Sequence, residues 1–315
     1  KKIILLHLQK KRDILVKEYN WFADYDIGFY RQRALNLYLK LNVTTQDHWE
    51  FIHIGPNTPI DTTVENHLIY QFANKVAESF QKKLTPCKVE MTSDLPLARG
   101  LGSSAAAIVA AIELANQVCD LKLSTQQKLS IASEIEGHPD NASASILGGI
   151  TISSMIDNEA DTIAIRDVDF HLVVIIPPYE LKTADARIVL PESYSRSQAV
   201  AASAKANMLV ANLLSKNYEK VGFYMEQDVF HEPYRAELIT DFNLIKQCAK
   251  RYGAYGTALS GAGPTMISLV PSNLINSFVQ QMKNQFETYE IIETSIDTDG
   301  VQVFEKLTCT TNISR

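Results

Sequence analysis

Pro96-Leu97-Ala98-Arg99-Gly100-Leu101-Gly102-Ser103-Ser104-Ala105-Ala106-Ala107 is the stretch that decides how the rest of this 315-residue chain is read. Two glycines let the backbone turn sharply and approach a ligand closely. Two serines then open a run rich in Ala, Ile and Leu that reaches Val118, which is strong helix chemistry. The first N–H groups of a helix have no internal partner and point outward, and the helix dipole adds positive potential there. The string therefore predicts an anion site at a helix N-terminus, with serine hydroxyls able to bind phosphate or a metal ion. It is not a Walker A loop, because the Gly-Lys-Ser/Thr ending is missing, and it lacks the third glycine of a dinucleotide fingerprint.

Working outward, the bulk of the chain bounds the ligand class. With 46% hydrophobic and 21% charged residues it reads as a soluble globular protein. Its length suits one large domain or two ordinary ones, with a core that needs no disulfide or metal. A net charge of −6 gives no general attraction to nucleic acid or to an anionic membrane, so a phosphate site must be local. The basic run Lys10-Lys11-Arg12 reads as a solvated face. Cys87, Cys119, Cys248 and Cys309 form no CxxC pair, which argues against a zinc or redox motif and suits a reducing cytoplasm. No stretch reaches transmembrane length.

Periodicity places the remaining elements. Leu35, Leu37, Leu39, Leu41 and Val43 alternate with polar residues and predict a strand with one buried face. Residues 66–82 predict a helix with Leu68, Phe72 and Val76 on its apolar side, and Lys88 to Ser93 alternates again. Ser124 and Gln127 have capping-box spacing, so a helix runs from there to about Glu136. Gly148-Gly149 breaks the chain before a strand at Ile150 to Ser153. Further on come an apolar strand at His171 to Ile176, helices near 197–214 and 241–251, and a strand at Met266 to Val270. An amphipathic helix with Leu274, Phe278, Met282 and Phe286 on one side follows. This order predicts an α+β protein in two halves that meet near 155–165.

The P-x-x-x-G-L-G-S-S-A-A string resembles the ATP loop of the GHMP kinases, which phosphorylate hydroxyls of small metabolites. Ser260-Gly261-Ala262-Gly263-Pro264-Thr265 resembles the third motif of that superfamily, at the expected distance. Glu136-Gly137-His138-Pro139-Asp140-Asn141, Thr183-Ala184-Asp185-Ala186-Arg187 and His231-Glu232-Pro233-Tyr234-Arg235 resemble segments of its homoserine kinase branch, and the likeness covers about residues 34 to 300. The resemblance implies the GHMP two-domain fold. Residues 1–160 would form an ATP-binding half like domain 2 of ribosomal protein S5, and residues 161–315 a ferredoxin-like half.

It also implies a reaction and a site: ATP-dependent phosphorylation of the side-chain hydroxyl of L-homoserine in threonine biosynthesis. Arginine forks suit the substrate carboxylate, and by resemblance Arg187 and Arg235 supply them. Asp140 would pair with the ammonium, and Thr183 and His138 would add hydrogen bonds. Asp140, Asn141 and Arg235 form the expected catalytic set. Pro96, Leu97, Ala98, Arg99, Gly100, Leu101, Gly102, Ser103, Ser104, Ala105 and Ala106 would hold ATP phosphates, with Asn66 toward the adenine. Glu136 and Ser104 would hold Mg²⁺, which prefers hard oxygens and keeps several waters. A protein general base stays open, and a homodimer is implied.

The first motif of the superfamily, roughly P-x-S-x-N-(L/I)-G-x-G-F-D, should directly precede the Leu35–Val43 strand. The chain reads Asp26-Ile27-Gly28-Phe29-Tyr30-Arg31-Gln32-Arg33 there, and residues 1–33 show no strand alternation. Codons for Phe29 to Gln32 read one register over can encode Asp-Ser-Ile-Gly, the family's sequence, so a native and a frame-shifted N-terminus stay open. Two other functional readings stay open with them: a mevalonate-type kinase, and a GHMP-fold protein that binds ATP without turnover.

Overall fold

The computed structural model describes residues 7–19, 30–57, 63–94, 101–157 and 159–310. Residues 20–29, where the first superfamily motif is expected, lie outside the described residues, as do Pro96 to Gly100.

The elements run β1 (His7–Tyr19), β2 (Tyr30–Thr45), β3 (Glu50–Ile54), α1 (Leu68–Ser79), β4 (Cys87–Ser93), α2 (Ser103–Val118), α3 (Thr125–Glu136), α4 (Asp140–Leu147), β5 (Ile150–Ile156), β6 (Glu159–Ile165) and β7 (His171–Ile176). Then follow α5 (Thr183–Ile188), α6 (Arg196–Leu214), α7 (Tyr218–Met225), α8 (Glu232–Arg235), α9 (Phe242–Arg251), β8 (Gly256–Leu259), β9 (Met266–Val270), α10 (Ile275–Gln285), β10 (Glu290–Thr294) and β11 (Gln302–Thr310).

Two sheets organise these elements. The first has the order β11-β1-β2-β4-β3, and β5 and β6 extend it from the early half of β2. Residues 39–45 of β2 pair with β4, whereas residues 30–33 pair with β5. β3 and β4 are parallel, which requires a crossover, and α1 supplies it. The second sheet has the order β10-β7-β9-β8, entirely antiparallel. Renumbered within itself this is 4-1-3-2, the ferredoxin-like arrangement.

Three cores follow from the side-chain pattern. Leu39, Leu41 and Val43 of β2 face α1, α2 and α3 across the first core. The second sheet is covered on both sides, which is why β7 reads as an unbroken apolar run. Leu172, Val174 and Ile176 face α6 and α7, and Val173 and Ile175 face α9 and α10. Leu35, Leu101 and Ile150 of the first unit pack into the same cluster as Leu172 and Val174. Leu101, just ahead of α2, is thus wedged between the two halves.

Two expectations change. The buried face of α1 is Ile69, Ala73, Val76 and Ala77; of the expected stripe Val76 is buried and Phe72 packs at the edge of the core, while Leu68 is exposed. Two alanines on that face let α1 lie close against the alanine-rich α2. The N-terminal region does hold a strand, β1, despite its lack of alternation. Its backbone is paired on both sides, with β11 and with β2. That pairing comes from chain segments far apart in sequence, which no local pattern announces.

The connection from β10 to β11 straps the two sheets together. Gly149 N donates to Asp297 O at 2.7 Å, Val301 N to Ile146 O at 3.3 Å, and Tyr38 Oη to Asp297 Oδ2 at 2.6 Å. A Cβ on Gly300 would sit 2.1 Å from Ile146 O, so the strap and the end of α4 touch backbone to backbone. Position 160 falls inside β6, which belongs to the first sheet, as does β11.

Candidate active site

The site is built from four helix ends. The N-terminus of α2 comes first. Its cap is Gly102, at φ +77°, a left-handed conformation that favours glycine, and no side chain of the described residues caps the helix. Ala106 N bonds back to Gly102 O, which leaves the N–H groups of the first turn without a helical partner. Leu101, Ala105 and Ala106 are buried, while Ser103 is half-buried and Ser104 exposed at the mouth. The inner wall of the loop is therefore anchored and its polar edge is open.

α3 supplies Glu136 at its last position, followed by Gly137 as a left-handed C-cap. Residues 119–124 turn the chain back and α3 packs on α2. Burial pushes the Glu136 carboxyl up from its ordinary value. Neighbouring His138 opposes that rise, Asp140 adds to it, and Arg187 opposes it. Glu136, His138, Asp140 and Arg187 therefore share one electrostatic neighbourhood, although they come from three elements.

The start of α4 holds the most constrained group. Asp140 is fully buried. Its Oδ1 accepts from His138 Nδ1 at 2.5 Å and from Asn141 N at 2.5 Å. Its Oδ2 is buried with no hydrogen-bond partner among the described residues, and so is Asn141 Oδ1. Buried carboxylate oxygens are almost always bonded, so an orphan in a polar cluster marks a place for a ligand donor. Behind Asp140, Ser143, Thr151, Ser153 and Thr162 form a hydroxyl chain with links of 2.9–3.0 Å, and Ser143 Oγ also donates to Asp140 O. That chain fixes α4 on β5 and β6.

The fourth end is α8, which carries Arg235. This side chain is fully buried, with Nε donating to Ala186 O at 3.0 Å and Nη1 to Gly261 O at 3.1 Å. It thereby links α5, one residue before Arg187, to the second glycine-rich segment. Arg187 itself is exposed, Ser260 and Thr265 of that segment are fully buried, and Thr265 Oγ1 has no partner among the described residues. Thr183 opens α5.

Asn66 ends a 3₁₀ turn, Val64–Asn66, before α1, and it is exposed. The neighbouring His67 is the buried residue, stacked on Phe51 at 3.9 Å with its Nε2 3.0 Å from His53 Nε2. Burial, with the nearby His53 adding, lowers the His67 pKa to about 4.

Sequence reading passed over the groups that hold α8. Asp228 accepts from the backbone N–H of Phe230, His231 and Glu232 at 3.0, 2.8 and 2.6 Å. Burial alone would raise its pKa, but the bond and charge of His231 and those N–H groups bring it below the usual carboxylate range. Glu232 accepts from Leu259 N and from Lys246 Nζ. The available signal was an acidic residue beside Pro233 at a helix start, where a carboxylate belongs.

An open helix N-terminus, a buried acid cluster and a buried arginine tied to a glycine-rich turn are the kinds of group that moving a phosphoryl group between small molecules calls for. The family models for the GHMP kinases N terminal domain and the GHMP kinases C terminal match residues 67–149 and 209–288. The chain belongs to the GHMP kinase family. It is 46% identical to a homoserine kinase of Oceanobacillus iheyensis over 86% of this chain and 92% of that protein. It is equally identical to a homoserine kinase of Bacillus pumilus over 86% and 87%. The crystal structure of homoserine kinase from Cytophaga hutchinsonii superimposes with a TM-score of 0.81 at 25% identity, covering 93% of this chain and 97% of that one.

Proposed function

We propose that the chain transfers the γ-phosphoryl group of ATP to the side-chain hydroxyl of L-homoserine, giving O-phospho-L-homoserine for threonine biosynthesis. One observation carries the choice of substrate: the buried Asp140 carboxylate keeps one oxygen without a partner among the described residues, in the same cluster as Arg187. An ammonium satisfies that oxygen, and the arginines take the carboxylate of the same amino acid. A mevalonate-type substrate has no ammonium and can offer Asp140 only a neutral hydroxyl donor.

Each part of the site then has a task. The first-turn N–H groups of α2, with the hydroxyls of Ser103 and Ser104, hold the phosphates. The stretch Pro96–Ala106 is assigned to the same phosphates, and Asn66 to the adenine. Asp140, His138 and Thr183 fix the amino-acid head, while Arg187 and Arg235 grip its carboxylate. Asn141 orients the hydroxyl so that its oxygen attacks the γ-phosphorus as the bond to the β-bridging oxygen breaks, ADP leaves, and the hydroxyl proton passes to an oxygen of the transferred phosphoryl group. The α2 end of the first unit thus serves ATP, α4 of the same unit serves the amino-acid head and hydroxyl, and Arg187 and Arg235 of the second unit serve the carboxylate.

Glu136 fits a magnesium ion, because its carboxyl is destabilised by burial and a divalent cation would restore its charge. Ser104 offers a second hard oxygen, and among the described residues no group of three or more acidic, His or Cys side chains forms a closed metal cage. When bound, Mg²⁺ neutralises phosphate charge. No helix among the described residues is long and apolar enough to cross a membrane, and a cytoplasmic enzyme is the reading we adopt. Light scattering at micromolar concentration tests the homodimer implied by the family.

A coupled ADP-release assay over a panel of hydroxylated metabolites tests the activity. The expected result is turnover with L-homoserine and none with mevalonate. Turnover on mevalonate alone, or ATP binding with no turnover on any substrate, would overturn the reading.

A further inference from the structure

We propose that Glu232 and Lys246 form a positioning pair that sets the angle at which Arg235 meets the substrate carboxylate. The inference rests on the reading of Arg235 as a carboxylate ligand. Neither residue of the pair has a place in the chemistry, yet their geometry is specific.

α8 has only four residues, too few to hold its own shape through helix hydrogen bonds. Glu232 opens it and Arg235 closes it. Glu232 Oε1 accepts from Leu259 N at 2.7 Å, and Arg235 Nη1 donates to Gly261 O at 3.1 Å. The two ends of α8 therefore clasp the same three-residue stretch, Leu259 to Gly261, where β8 runs into the second glycine-rich segment. A tilt of α8 about either bond would swing the guanidinium. Arg235 Nε on Ala186 O carries the same constraint to α5, beside Arg187.

The second oxygen of Glu232 is what prevents that tilt. Glu232 Oε2 accepts from Lys246 Nζ at 2.8 Å, with the two side chains 7% and 20% exposed. Lys246 stands on α9, a regular helix, and its Nζ lies 5.2 Å from the Phe242 ring centroid, so the cation is held from two sides. A buried ion pair is a poor device for stability alone, since well-packed apolar residues often do as well or better. It is a good device for direction, because a carboxylate with both oxygens fixed cannot rotate. Asp228 completes the frame by holding the N–H groups that lead into α8.

The test compares steady-state constants of Glu232→Gln, Lys246→Gln, Lys246→Arg and Arg235→Leu. Glu232→Gln and Lys246→Gln should each raise KM for homoserine about tenfold or more while KM for ATP stays within about twofold. Lys246→Arg, which keeps the pair, should stay near the parent. A pair that only stabilised the fold would lower the melting temperature and leave both KM values of the folded enzyme unchanged. If Glu232→Gln does not fold, Lys246→Gln reads the same device from α9 without altering α8. Unchanged KM for homoserine in folded Lys246→Gln, or an equal rise in both KM values, overturns the proposal. Arg235→Leu separates the two levels. If it too leaves KM for homoserine unchanged, the carboxylate reading of Arg235 falls and the pair's role with it. If it raises that KM and Lys246→Gln does not, only the positioning role falls.

Discussion

The N-termini of α2 and α3 lie on neighbouring helices and are finished in opposite ways. α3 is closed: Ser124 Oγ accepts from Gln127 N at 3.2 Å, and Gln127 Oε1 accepts from Ser124 N at 2.9 Å. α6 is closed in the same manner by Ser195 and Gln198. α2 is open, with a left-handed glycine where a capping side chain would stand. The open end gives up a stabilisation of about 1 kcal/mol that a cap brings. What it gains is a set of N–H groups kept for a ligand that carries its own acceptors. α3 also brings Glu136 to its C-terminal end, the negative pole of a helix, where a carboxylate is least comfortable and a cation most welcome.

The largest expected effect comes from making α2 resemble its neighbour. Asp tolerates φ > 0 better than most L-residues, so Gly102→Asp should fold. It places a carboxylate where phosphate belongs, and kcat/KM for ATP should fall by about a hundredfold or more. Equilibrium binding of ATP checks the cause. Unchanged affinity would mean that the open end is not the phosphate site.

A smaller effect should come from Glu136→Gln. The folded enzyme holds this carboxyl above its ordinary value. Between the unfolded and folded pKa values the folded state binds more protons, so stability falls as pH rises through that window. The variant should therefore melt above the parent at neutral pH without magnesium. The difference should close as pH falls to about 4, the ordinary carboxylate range. Melting curves across pH read this without reference to turnover. In assays, the variant should need more Mg²⁺ for half-maximal rate.

The smallest effect sharpens the contrast from the other side. Ser124→Ala opens α3 and should cost about 1 kcal/mol, seen as a fall in melting temperature of about 2–4 °C. Both KM values should stay within error, because that end of α3 lies the whole length of the helix away from Glu136. A change in KM for ATP would mean that the two ends are coupled.

What could be read in advance follows the range of the interactions. The α2 string was legible because glycine, serine and alanine act within a single turn. The capping box of α3 was legible for the same reason. The phase of α1 was not, since periodicity fixes a stripe but not which neighbour lies under it, and Ile69 rather than Leu68 faces α2. β1 was not legible because its partners are β2 and β11, the latter some three hundred residues away. Asp140, Asn141 and Arg235 could be picked out as candidates from the strings they stand in. Their surroundings could not: the unpartnered oxygen of Asp140 depends on where His138 turns, and the hold on Arg235 depends on Glu232 meeting Leu259 and Lys246 across 27 and 14 positions of chain.

β11 gives the fold a further property. A strand that follows the entire second sheet in sequence returns to pair with β1 in the first. The half that carries the α2 site is therefore not a contiguous module. On a ribosome it stays one strand short until the other half has been made, and a gene cut near residue 160 yields a sheet with an unpaired edge, a surface prone to self-association. Recombination between relatives in this family should then preserve both ends of the chain together and exchange what lies between.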